Sequence, residues 1–323
     1  MAVDMSALSR MQIGAFFQAN APITQEECNE EAQRISGQPV SPTACQGGSS
    51  YTVDAGKVVV QFRKPNSALD MDMMEYIEQA YSGFAPRHRY CGLFHNLYVY
   101  TMSHMGGVSM YLARAHLQRN NCELMRNTIV DYARFFASAY NHRPEYMSKQ
   151  TREQLLAQYT SKLEQLRDGL PSRFRATLDR LIPQLPSICN ESWPLVPNHT
   201  DLLENNIHVD IDTGAITGIC DWRDAQVGPF GMSLSGLETM LGIRVMNEDG
   251  WRYFPNHNEL RELFWAAFYR DIGPMSEQQR QRIEVARLTG LFLENGWDMD
   301  DDGNLIPATE GLDLAYLGAV VLA

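Results

Sequence analysis

Hydrophobic and polar positions near the start of the chain follow two different periods. Residues 24–37, TQEECNEEAQRISG, begin at a threonine, carry early acids and end at a glycine, which predicts a short helix. Residues 45–65 then place the β-branched run VVVQF after a turn at Asp54 to Gly56, which predicts a hairpin. The change of period indicates a region of mixed secondary structure.

This mixed region continues to about residue 104. The run DMDMMEYIEQAY predicts a helix over residues 70–81, and NLYVYTM predicts a strand over residues 96–102. The polar loop SHMGG follows at residues 103–107. Strand, strand, helix and strand in this order are typical of a small α+β lobe.

From about residue 108 the chain is predicted to be mostly helical, with one exception. Apolar residues recur at helical spacing in four segments. These segments are residues 151–169, 172–185, 258–271 and 276–293. The exception is a second hairpin, in which residues 207–211 and 216–220 alternate about an Asp-Thr-Gly turn.

Composition narrows the class of protein. Apolar residues make up 44% of the chain and charged residues 20%, which is typical of a globular protein and excludes long disorder. A length of 323 residues suffices for two lobes, each with its own core. The formal net charge of −12 excludes a general nucleic-acid-binding surface and favours a cationic small substrate over an anionic one.

The N-terminal sequence MAVDMSALSR contains an acid and lacks a long apolar segment, so we expect no secretory signal. No apolar run reaches the length of a membrane span. The six cysteines are scattered without a CxxC pair, which argues against a zinc site or a disulfide framework. We therefore expect a cytoplasmic protein with neither a membrane nor a nucleic-acid partner.

Polar residues are densest around the second hairpin, in NHTDLLENNIHVDIDTGAITGICDWRD at residues 198–224. Phosphoryl transfer requires a carboxylate that positions the acceptor and metal ligands that neutralise the nucleotide phosphates. Kinase-type loops space these residues as D-x-x-x-x-N, and Asp201 precedes Asn206 with this spacing. Asp221 follows the strand ITGIC, where kinases carry a second metal-binding aspartate.

The segment NHTDLLENNIHVD…ITGICDW resembles the H-G-D-x-x-x-x-N-I…I-D-W signature of the aminoglycoside phosphotransferase and choline kinase-like family, in particular its members from filamentous fungi. The resemblance covers most of the chain, and its specific part runs from His199 to Trp222. It implies an α+β, two-lobed protein-kinase-like fold with the nucleotide in the cleft. The implied domains are a small mixed nucleotide-binding lobe at residues 1–104 and a mostly helical catalytic and substrate lobe at residues 105–323.

The resemblance also implies roles for individual residues. Asp201 is expected to orient the acceptor hydroxyl as the catalytic base, and His199 to brace the loop. Asn206 and Asp221 are expected to bind Mg²⁺. The residues expected along the adenine of ATP are Met102, Ser103, His104 and Met105.

Two features depart from the family pattern. Thr200 stands where the family usually has glycine, and a β-branched residue tolerates fewer backbone conformations. The strand position where the family carries a phosphate-binding lysine falls near Gln61 or Arg63, which share one strand face. Arg63 could serve in its place, but the planar fork of arginine is not equivalent to an ammonium group. Asp72 and Glu75 lie one turn apart, and either could supply the acid that pairs with this cation.

We predict a small-molecule kinase that uses ATP and Mg²⁺ to phosphorylate a hydroxyl group of a substrate that could carry an amine. The amine is suggested by aromatic and acidic residues of the helical region. These residues are Trp222, Trp251, Tyr253, Trp265, Asp224, Glu238, Glu248 and Asp249. One alternative is a pseudokinase-like nucleotide-binding protein. Another is a kinase-fold enzyme of secondary metabolism that uses Asp201 as a general base without phosphoryl transfer.

Overall fold

The computed structural model describes residues 5–145, 150–245, 250–309 and 311–322. These residues form two compact units. Unit 1 takes the described residues within Met1–Glu78, Ala85–Gly106 and Asp221–Arg223, and unit 2 takes those within Gln79–Phe84, Gly107–Cys220 and Asp224–Ala323. A mixed first region and a mostly helical remainder confirm the α+β class that the sequence predicts.

Unit 1 is built on an antiparallel sheet. Its elements are α1 (Met5–Ala19), α2 (Gln25–Ser36), β1 (Ser41–Pro42), β2 (Ser50–Ala55), β3 (Val58–Arg63), a 3₁₀ turn (Pro65–Ser67), α3 (Met71–Ala80, which continues into unit 2), β4 (His88–Phe94) and β5 (Leu97–Ser103). The strand order is β1-β2-β3-β5-β4, and every neighbouring pair is antiparallel. The predicted α2, α3, β5 and β2–β3 hairpin are confirmed, whereas α1 and β4 were not predicted.

Helix α2 is closed at both ends by the residues that predicted it. The backbone N–H of Glu27 donates to Thr24 Oγ1 (3.2 Å), and the N–H of Thr24 donates to the Glu27 carboxylate (2.8 Å), which makes a capping box. Gly37 follows with a φ of 68°, a left-handed conformation that glycine adopts without a Cβ clash. Local sequence therefore determines both ends of this helix.

The two faces of β3 meet different surroundings. Val60 and Phe62 join the apolar core that also contains Phe16 of α1. Gln61 and Arg63 point to the opposite face, because successive strand residues alternate, and they too are buried. The alternation thus places Gln61 and Arg63 together, as the sequence predicts.

Unit 2 is mostly helical. Its elements are β6 (Val108–Ser109), α4 (Met110–Leu117), α5 (Arg119–Asn141), α6 (Arg152–Gly169), α7 (Arg175–Leu181), α8 (Leu185–Ile188), β7 (Leu195–Asn198), β8 (Ile207–Val209), β9 (Ile216–Ile219), β10 (Gln226–Pro229), a long 3₁₀ helix (Met232–Met240), β11 (Gly242–Arg244), β12 (Trp251–Tyr253), α9 (His257–Ile272), α10 (Glu277–Asn295), β13 (Trp297–Met299), β14 (Leu305–Pro307) and α11 (Leu312–Val321). The predicted helices that correspond to α6, α9 and α10 are confirmed, and so is the β8–β9 hairpin.

The prediction of one continuous helix over residues 172–185 is wrong. The segment forms 3₁₀ turns at Ser172–Phe174 and Ile182–Gln184 on either side of α7, and α8 follows. Pro183 and Pro186 lack the N–H that a helix interior requires, and their rings clash with the preceding turn. Helical spacing of apolar residues therefore overstated the continuity of this segment.

Short strands hold both ends of the segment that carries the predicted catalytic residues. β7 pairs with β10, whereas β8 pairs with β9 and with β6. Residues 199–206 connect β7 to β8 and so pass from one small sheet to another. The ends of this connection are fixed by strand pairing, and its interior must be held by side chains.

Helix packing forms the core of unit 2. Phe264 of α9 meets Tyr132 and Phe136 of α5, with ring centroids 6.2 and 6.0 Å apart. Gly290 of α10 lies against the backbone of Met232, because a Cβ there would come within 2.2 Å of the Met232 carbonyl oxygen. Across the described ranges, no helix combines the length and apolar character needed to cross a membrane.

Candidate active site

His199 is bonded at both ring nitrogens in the segment that follows β7. The backbone N–H of Asp201 donates to Nδ1 (3.1 Å), so Nδ1 carries no proton. The proton therefore lies on Nε2, which donates to the carbonyl oxygen of Cys220 (2.8 Å). With 2% of its surface exposed, His199 links the loop to the residue that follows β9.

Asp201 and Asn206 meet through the amide of the asparagine. Nδ2 of Asn206 donates to the backbone oxygen of Asp201 (2.8 Å) and to its Oδ2 (2.9 Å). Asn206 is buried, whereas Asp201 is exposed. The amide thus orients the carboxylate and leaves Oδ1 of Asp201 free of hydrogen bonds to the described residues. The two residues that the D-x-x-x-x-N spacing singled out are therefore in direct contact.

The 3₁₀ helix Met232–Met240 packs against this loop and forms hydrogen bonds with it. Ser233 Oγ lies 3.1 Å from Asn198 Oδ1 and 3.0 Å from the carbonyl oxygen of His199, and the Ser233 N–H donates to Asn198 Oδ1 (3.2 Å). Thr239 Oγ1 donates to the carbonyl oxygen of Leu202 (3.3 Å). A Cβ at Gly236 would lie 2.9 Å from Leu202 Cβ, so the two segments are in close contact. The backbone on both sides of Asp201 is therefore held from the same helix.

Glu204 ties the same loop to the start of α4. Its carbonyl oxygen accepts from the N–H of Tyr111 and from Ser109 Oγ, both at 3.2 Å. Its carboxylate accepts from Arg114 Nε (2.6 Å) and also contacts Arg114 Nη2. Burial lowers the pKa of Arg114 below its usual value, so this two-point ion pair is partly desolvated.

A cavity of about 670 Å³ opens beside Asp201 within unit 2. Its acidic lining residues are Asp201, Glu204 and Glu294, and its aromatic lining residues are Tyr111, Trp251 and Tyr316. Arg114 and Arg244 supply the basic groups. A cavity of this size with a few convergent polar groups is of the kind that binds small molecules.

Glu294 faces this cavity from the last turn of α10. Ser235 Oγ donates to its Oε2 (2.7 Å). Glu294 is exposed where it lines the cavity. Desolvation by the protein atoms around it raises the pKa of the Glu294 carboxyl to about 8, and the charge of Asp201 adds to the rise, whereas the hydrogen bond from Ser235 opposes it.

Arg63 is the buried cation of unit 1. Its Nε donates to Gln61 Oε1 (2.6 Å), and its Nη1 donates to the carbonyl oxygen of Ser67 (3.1 Å). Its Nη2 lies 3.9 Å from Oδ1 of Asp221. The arginine side chain is 5% exposed and the aspartate side chain 58%, so a buried guanidinium meets an open carboxylate. The structure thus brings together Arg63, Gln61 and Asp221.

The backbone of Asp221 is left-handed, with a φ of 60°. This conformation costs a residue with a Cβ about 1–2 kcal/mol, although aspartate tolerates it better than most. Asp221 comes two residues after the end of β9, so the left-handed turn sets the direction of its carboxylate. Local strain at a predicted metal ligand is a common mark of a functional position.

Asp72 and Glu75 lie on the exposed side of α3. Neither forms a hydrogen bond or an ion pair with a described residue, so the structure does not bring either acid to Arg63. The buried side of α3 carries Met73 and Met74, which are 6% and 1% exposed. Because Met73 and Met74 occupy the buried side of the helix, Asp72 and Glu75 lie on the side that faces solvent.

The predicted adenine-binding residues lie where β5 ends. Met102 and Ser103 are the last residues of β5, and His104 and Met105 follow. The backbone N–H groups of Ser103 and His104 donate to carbonyl groups at 3.0 and 3.1 Å. The N–H of Met105 has no partner in the described ranges. It is therefore a free backbone donor in this segment.

The aromatic and acidic residues that the sequence suggested for binding an amine do not lie together in the structure. Trp251 lines the cavity, whereas Tyr253 and Arg261 donate to Glu238 Oε2 at 2.9 and 2.7 Å in a separate buried network. The remaining described members, Trp222, Asp224 and Trp265, do not line the cavity. Glu248 and Asp249 lie outside the described residues.

Sequence reasoning missed Arg114, Ser233, Ser235 and Glu294. They lie in helices distant along the chain from Asp201 and belong to no short motif. One local signal was present: Glu294 stands next to the C-terminal end of α10, where the helix dipole disfavours an acid. An unfavourable local choice of this kind often marks a functional residue.

The described residues contain no group of three or more His, Cys, Asp or Glu side chains arranged to hold a metal ion. Mg²⁺ commonly binds through one or two protein carboxylates together with substrate phosphates and water. Each predicted ligand, taken by itself, offers an oxygen of the type that Mg²⁺ prefers: the open carboxylate of Asp221 in unit 1 and the amide oxygen of Asn206 in unit 2.

Residues 55–242, more than half of the 323 residues, match the model of the Phosphotransferase enzyme family. The chain belongs to this family. No curated protein matches the chain.

Solved structures with similar folds include kinases of small molecules. The aminoglycoside phosphotransferase APH(3'')-Id of Streptomyces rimosus, solved with ADP and streptomycin, is 16% identical, with a TM-score of 0.47 over 83% of this chain and 99% of that one. The choline kinase of Cryptosporidium parvum is 14% identical, with a TM-score of 0.47 over 80% of this chain and 81% of that one. A choline/ethanolamine kinase family protein of Mesorhizobium loti is 14% identical, with a TM-score of 0.50 over 90% and 83%. This last similarity agrees with the kinase-like fold that the sequence predicts.

Proposed function

We propose that the protein transfers the γ-phosphoryl group of ATP, bound as its Mg²⁺ complex, to a hydroxyl group of a small molecule. One observation carries the proposal: the Asp201 carboxylate, oriented by Asn206, opens onto a cavity of about 670 Å³. Sites for small molecules measure roughly 300–1,000 Å³. Acids and aromatic rings in the lining suit an acceptor that carries an amine.

Asp201 acts on the acceptor in this proposal. Its free Oδ1 accepts the hydrogen bond of the acceptor hydroxyl, while its Oδ2 is held by Asn206 Nδ2. The transition state of phosphoryl transfer is loose, so holding the hydroxyl in line matters more than early removal of its proton. The bonds of His199, Ser233 and Glu204 keep the backbone of this loop in place.

Unit 1 supplies the residues for the nucleotide. The free N–H of Met105 can donate to the purine edge, and the guanidinium of Arg63 can face the phosphates beside Asp221. Mg²⁺ would neutralise charge on the phosphate oxygens, and we assign the Asp221 carboxylate and the Asn206 amide oxygen as candidate ligands. Arginine presents a planar fork, which binds phosphate oxygens in pairs where lysine acts as a point charge.

The test is ATP-dependent phosphorylation of a panel of hydroxylated amines by wild type and by Asp201→Asn. We expect turnover to fall by about 10²-fold or more in the variant, while ATP binding is retained. Asp212→Asn is the matched control, because Asp212 lies in the exposed β8–β9 turn away from the cavity. Unchanged turnover in Asp201→Asn would refute the assigned role.

A second candidate is a nucleotide-binding protein without transferase activity, which the engagement of Arg63 by Gln61 and Ser67 favours. Titration of ATP with and without Mg²⁺ into wild type and Asp221→Ala separates the candidates. Metal-dependent binding that is lost in the variant supports the transferase. Weak, metal-independent binding with no turnover of the panel supports the second candidate. Conversion of an acceptor without nucleotide would instead indicate general-base chemistry by Asp201.

A further inference from the structure

Gln61 and Arg63 lie side by side on one face of β3, and both are buried in unit 1. They are 8% and 4% exposed. The strand pairing places Thr52 of β2 opposite Gln61, and Ser50 opposite Arg63. Directly opposed residues of an antiparallel pair lie on the same face of the sheet. Two hydroxyl groups of β2 therefore adjoin the amide and the guanidinium.

The Gln61 amide connects these hydroxyl groups to the guanidinium. Its Nε2 donates to Thr52 Oγ1 (3.1 Å) and to Ser50 Oγ (3.3 Å). Its Oε1 accepts from Arg63 Nε (2.6 Å). A side-chain amide carries its donors on one atom and its acceptor on the other, so the contacts at both ends define how Gln61 is oriented. Strand β2 thus holds Arg63 through Gln61.

Arg63 is held on a second side by the 3₁₀ turn that follows β3. Its Nη1 donates to the carbonyl oxygen of Ser67 (3.1 Å), and Ser67 Oγ donates to the carbonyl oxygen of Ser49 (3.0 Å). The two acceptors, Gln61 Oε1 and the Ser67 carbonyl oxygen, are uncharged. They fix the direction of the guanidinium without neutralising its positive charge.

The acids of α3 do not provide this hold. Asp72 and Glu75 are exposed and form no hydrogen bond or ion pair with a described residue. The position of Arg63 is set instead within the β2–β3 hairpin, which carries Gln61 and both hydroxyl groups. A carboxylate in the place of the Gln61 amide would cancel part of the positive charge, whereas the amide does not.

We propose that Gln61 is a positioning residue that fixes the Arg63 guanidinium and, because it is uncharged, leaves the positive charge of Arg63 to the nucleotide phosphates. The inference rests on the nucleotide-binding part of the proposed function, and it adds the residue that sets the strength of phosphate binding. Its consequence is selectivity. A nucleotide gains from the fixed charge of Arg63 through its phosphates, whereas a nucleoside does not.

The test compares ADP, in the presence of Mg²⁺, with adenosine, which lacks the phosphates. Affinities are measured by isothermal titration with wild type, Gln61→Glu and the control Gln25→Glu. A glutamate at residue 61 keeps the shape of the side chain. The hydroxyl groups of Ser50 and Thr52 can donate to it, because a hydroxyl group both donates and accepts. The substitution therefore adds a negative charge beside Arg63 and keeps the hydrogen bonds of the hairpin.

Gln25→Glu is the matched control, because it adds the same charge on the other side of β2. Gln25 Nε2 donates to Tyr51 OH (3.0 Å), and Tyr51 alternates with Ser50 and Thr52 along the strand, so it lies on the opposite face of the sheet. We expect the affinity for ADP to fall by about tenfold or more in Gln61→Glu and to be unchanged in the control. The affinity for adenosine should be the same in all three proteins.

A second variant, Gln61→Met, separates orientation from charge. Methionine has a similar length, but its sulfur is a weak acceptor for Arg63 Nε–H. The NMR signal of this N–H, identified by its loss in Arg63→Lys, should exchange with water faster than in wild type. The affinity for ADP should fall by about threefold or more, again without a change for adenosine. A role confined to the stability of the sheet would lower the unfolding midpoint and leave the ratio of the two affinities unchanged.

The outcomes separate this inference from the phosphotransferase proposal. Equal ADP affinity of wild type and Gln61→Glu overturns the positioning role, and so does a parallel loss of affinity for ADP and adenosine. If ATP turnover persists in either case, the phosphotransferase proposal stands alone. If the preference for ADP depends on Gln61 but no acceptor is phosphorylated, the positioning role stands and the phosphotransferase proposal fails. A wild type that does not bind ADP overturns both.

Discussion

The contact between α10 and the 3₁₀ helix under the catalytic loop can be tested with one methyl group. Gly290 lies inside α10, and a Cβ there would stand 2.2 Å from the carbonyl oxygen of Met232 and 2.9 Å from its carbonyl carbon. Both are backbone atoms, so they cannot turn aside as a flexible side chain would. Gly290→Ala must therefore push the 3₁₀ helix away from α10.

The magnitude follows from two opposing effects. Alanine in place of glycine inside a helix stabilises by about 1 kcal/mol through the helix propensity. Overpacking of a tight contact costs about 1–3 kcal/mol and sometimes more, and a contact of 2.2 Å with backbone lies at the high end. We expect a net loss of about 2 kcal/mol in the free energy of unfolding. Turnover should fall as well, because Ser233 adjoins Met232 and bonds to Asn198 and His199.

Gly318→Ala provides the matched control in the same unit. Gly318 lies inside α11, and a Cβ there would meet only Phe174 Cζ at 3.7 Å, an ordinary contact. This variant should be as stable as wild type or about 0.5–1 kcal/mol more stable. Urea unfolding of the three proteins, with ATP turnover measured in parallel, checks both signs. Equal stability of Gly290→Ala and Gly318→Ala would refute the tight contact.

Three further substitutions test the surroundings of Asp201. The pKa of Glu294 is raised from 4.5 to about 8, so the folded state binds more protons than the unfolded state between these values and wild-type stability falls as pH rises. Relative to Glu294→Gln, the free energy of unfolding of wild type should fall by about 1–1.5 kcal/mol between pH 6 and pH 9. This is about half of the full linkage value, because Glu294 is exposed and solvent screens its charge. Urea unfolding that gives the same difference in stability between the two proteins at both pH values would contradict this. Arg114→Gln should speed amide hydrogen exchange in residues 202–206, whereas Arg126→Gln, which breaks the more exposed ion pair with Glu259, should leave it unchanged. Ser233→Ala should reduce stability by about 1 kcal/mol and lower kcat more than it changes the ATP dissociation constant, as measured by steady-state kinetics and titration.

Short-range patterns carried most of the correct predictions. The alternation in VVVQFR predicted that Gln61 and Arg63 share a face, and Arg63 Nε donates to Gln61 Oε1 (2.6 Å). The spacing of Asp201 and Asn206 predicted that they act together, and their side chains are 2.9 Å apart. In both cases the backbone geometry over a few residues determines the contact, so sequence spacing is sufficient.

Predictions failed where the pattern was interrupted or where partners lie far apart in the chain. Strand β4 contains a register shift between Tyr90 and Gly92, which breaks the alternation that identifies a strand. The acids Asp72 and Glu75 could not be distinguished by helical spacing, and the structure turns both towards solvent. Glu294 reaches the cavity through the packing of α10, which no local period encodes.

The substitution of threonine for the expected glycine at residue 200 shows how the loop differs from the family pattern. Glycine is favoured where φ is positive, and Thr200 is not among the residues with a positive φ. Its Oγ1 donates to the carbonyl oxygen of Asp224 (3.2 Å), a bond that glycine could not make. The positive φ lies instead at Asp221, whose carboxylate pairs with Arg63. Thr200 therefore adds a tie beside Asp201 without strain, and the strained conformation is found at the proposed ligand of the nucleotide-bound metal.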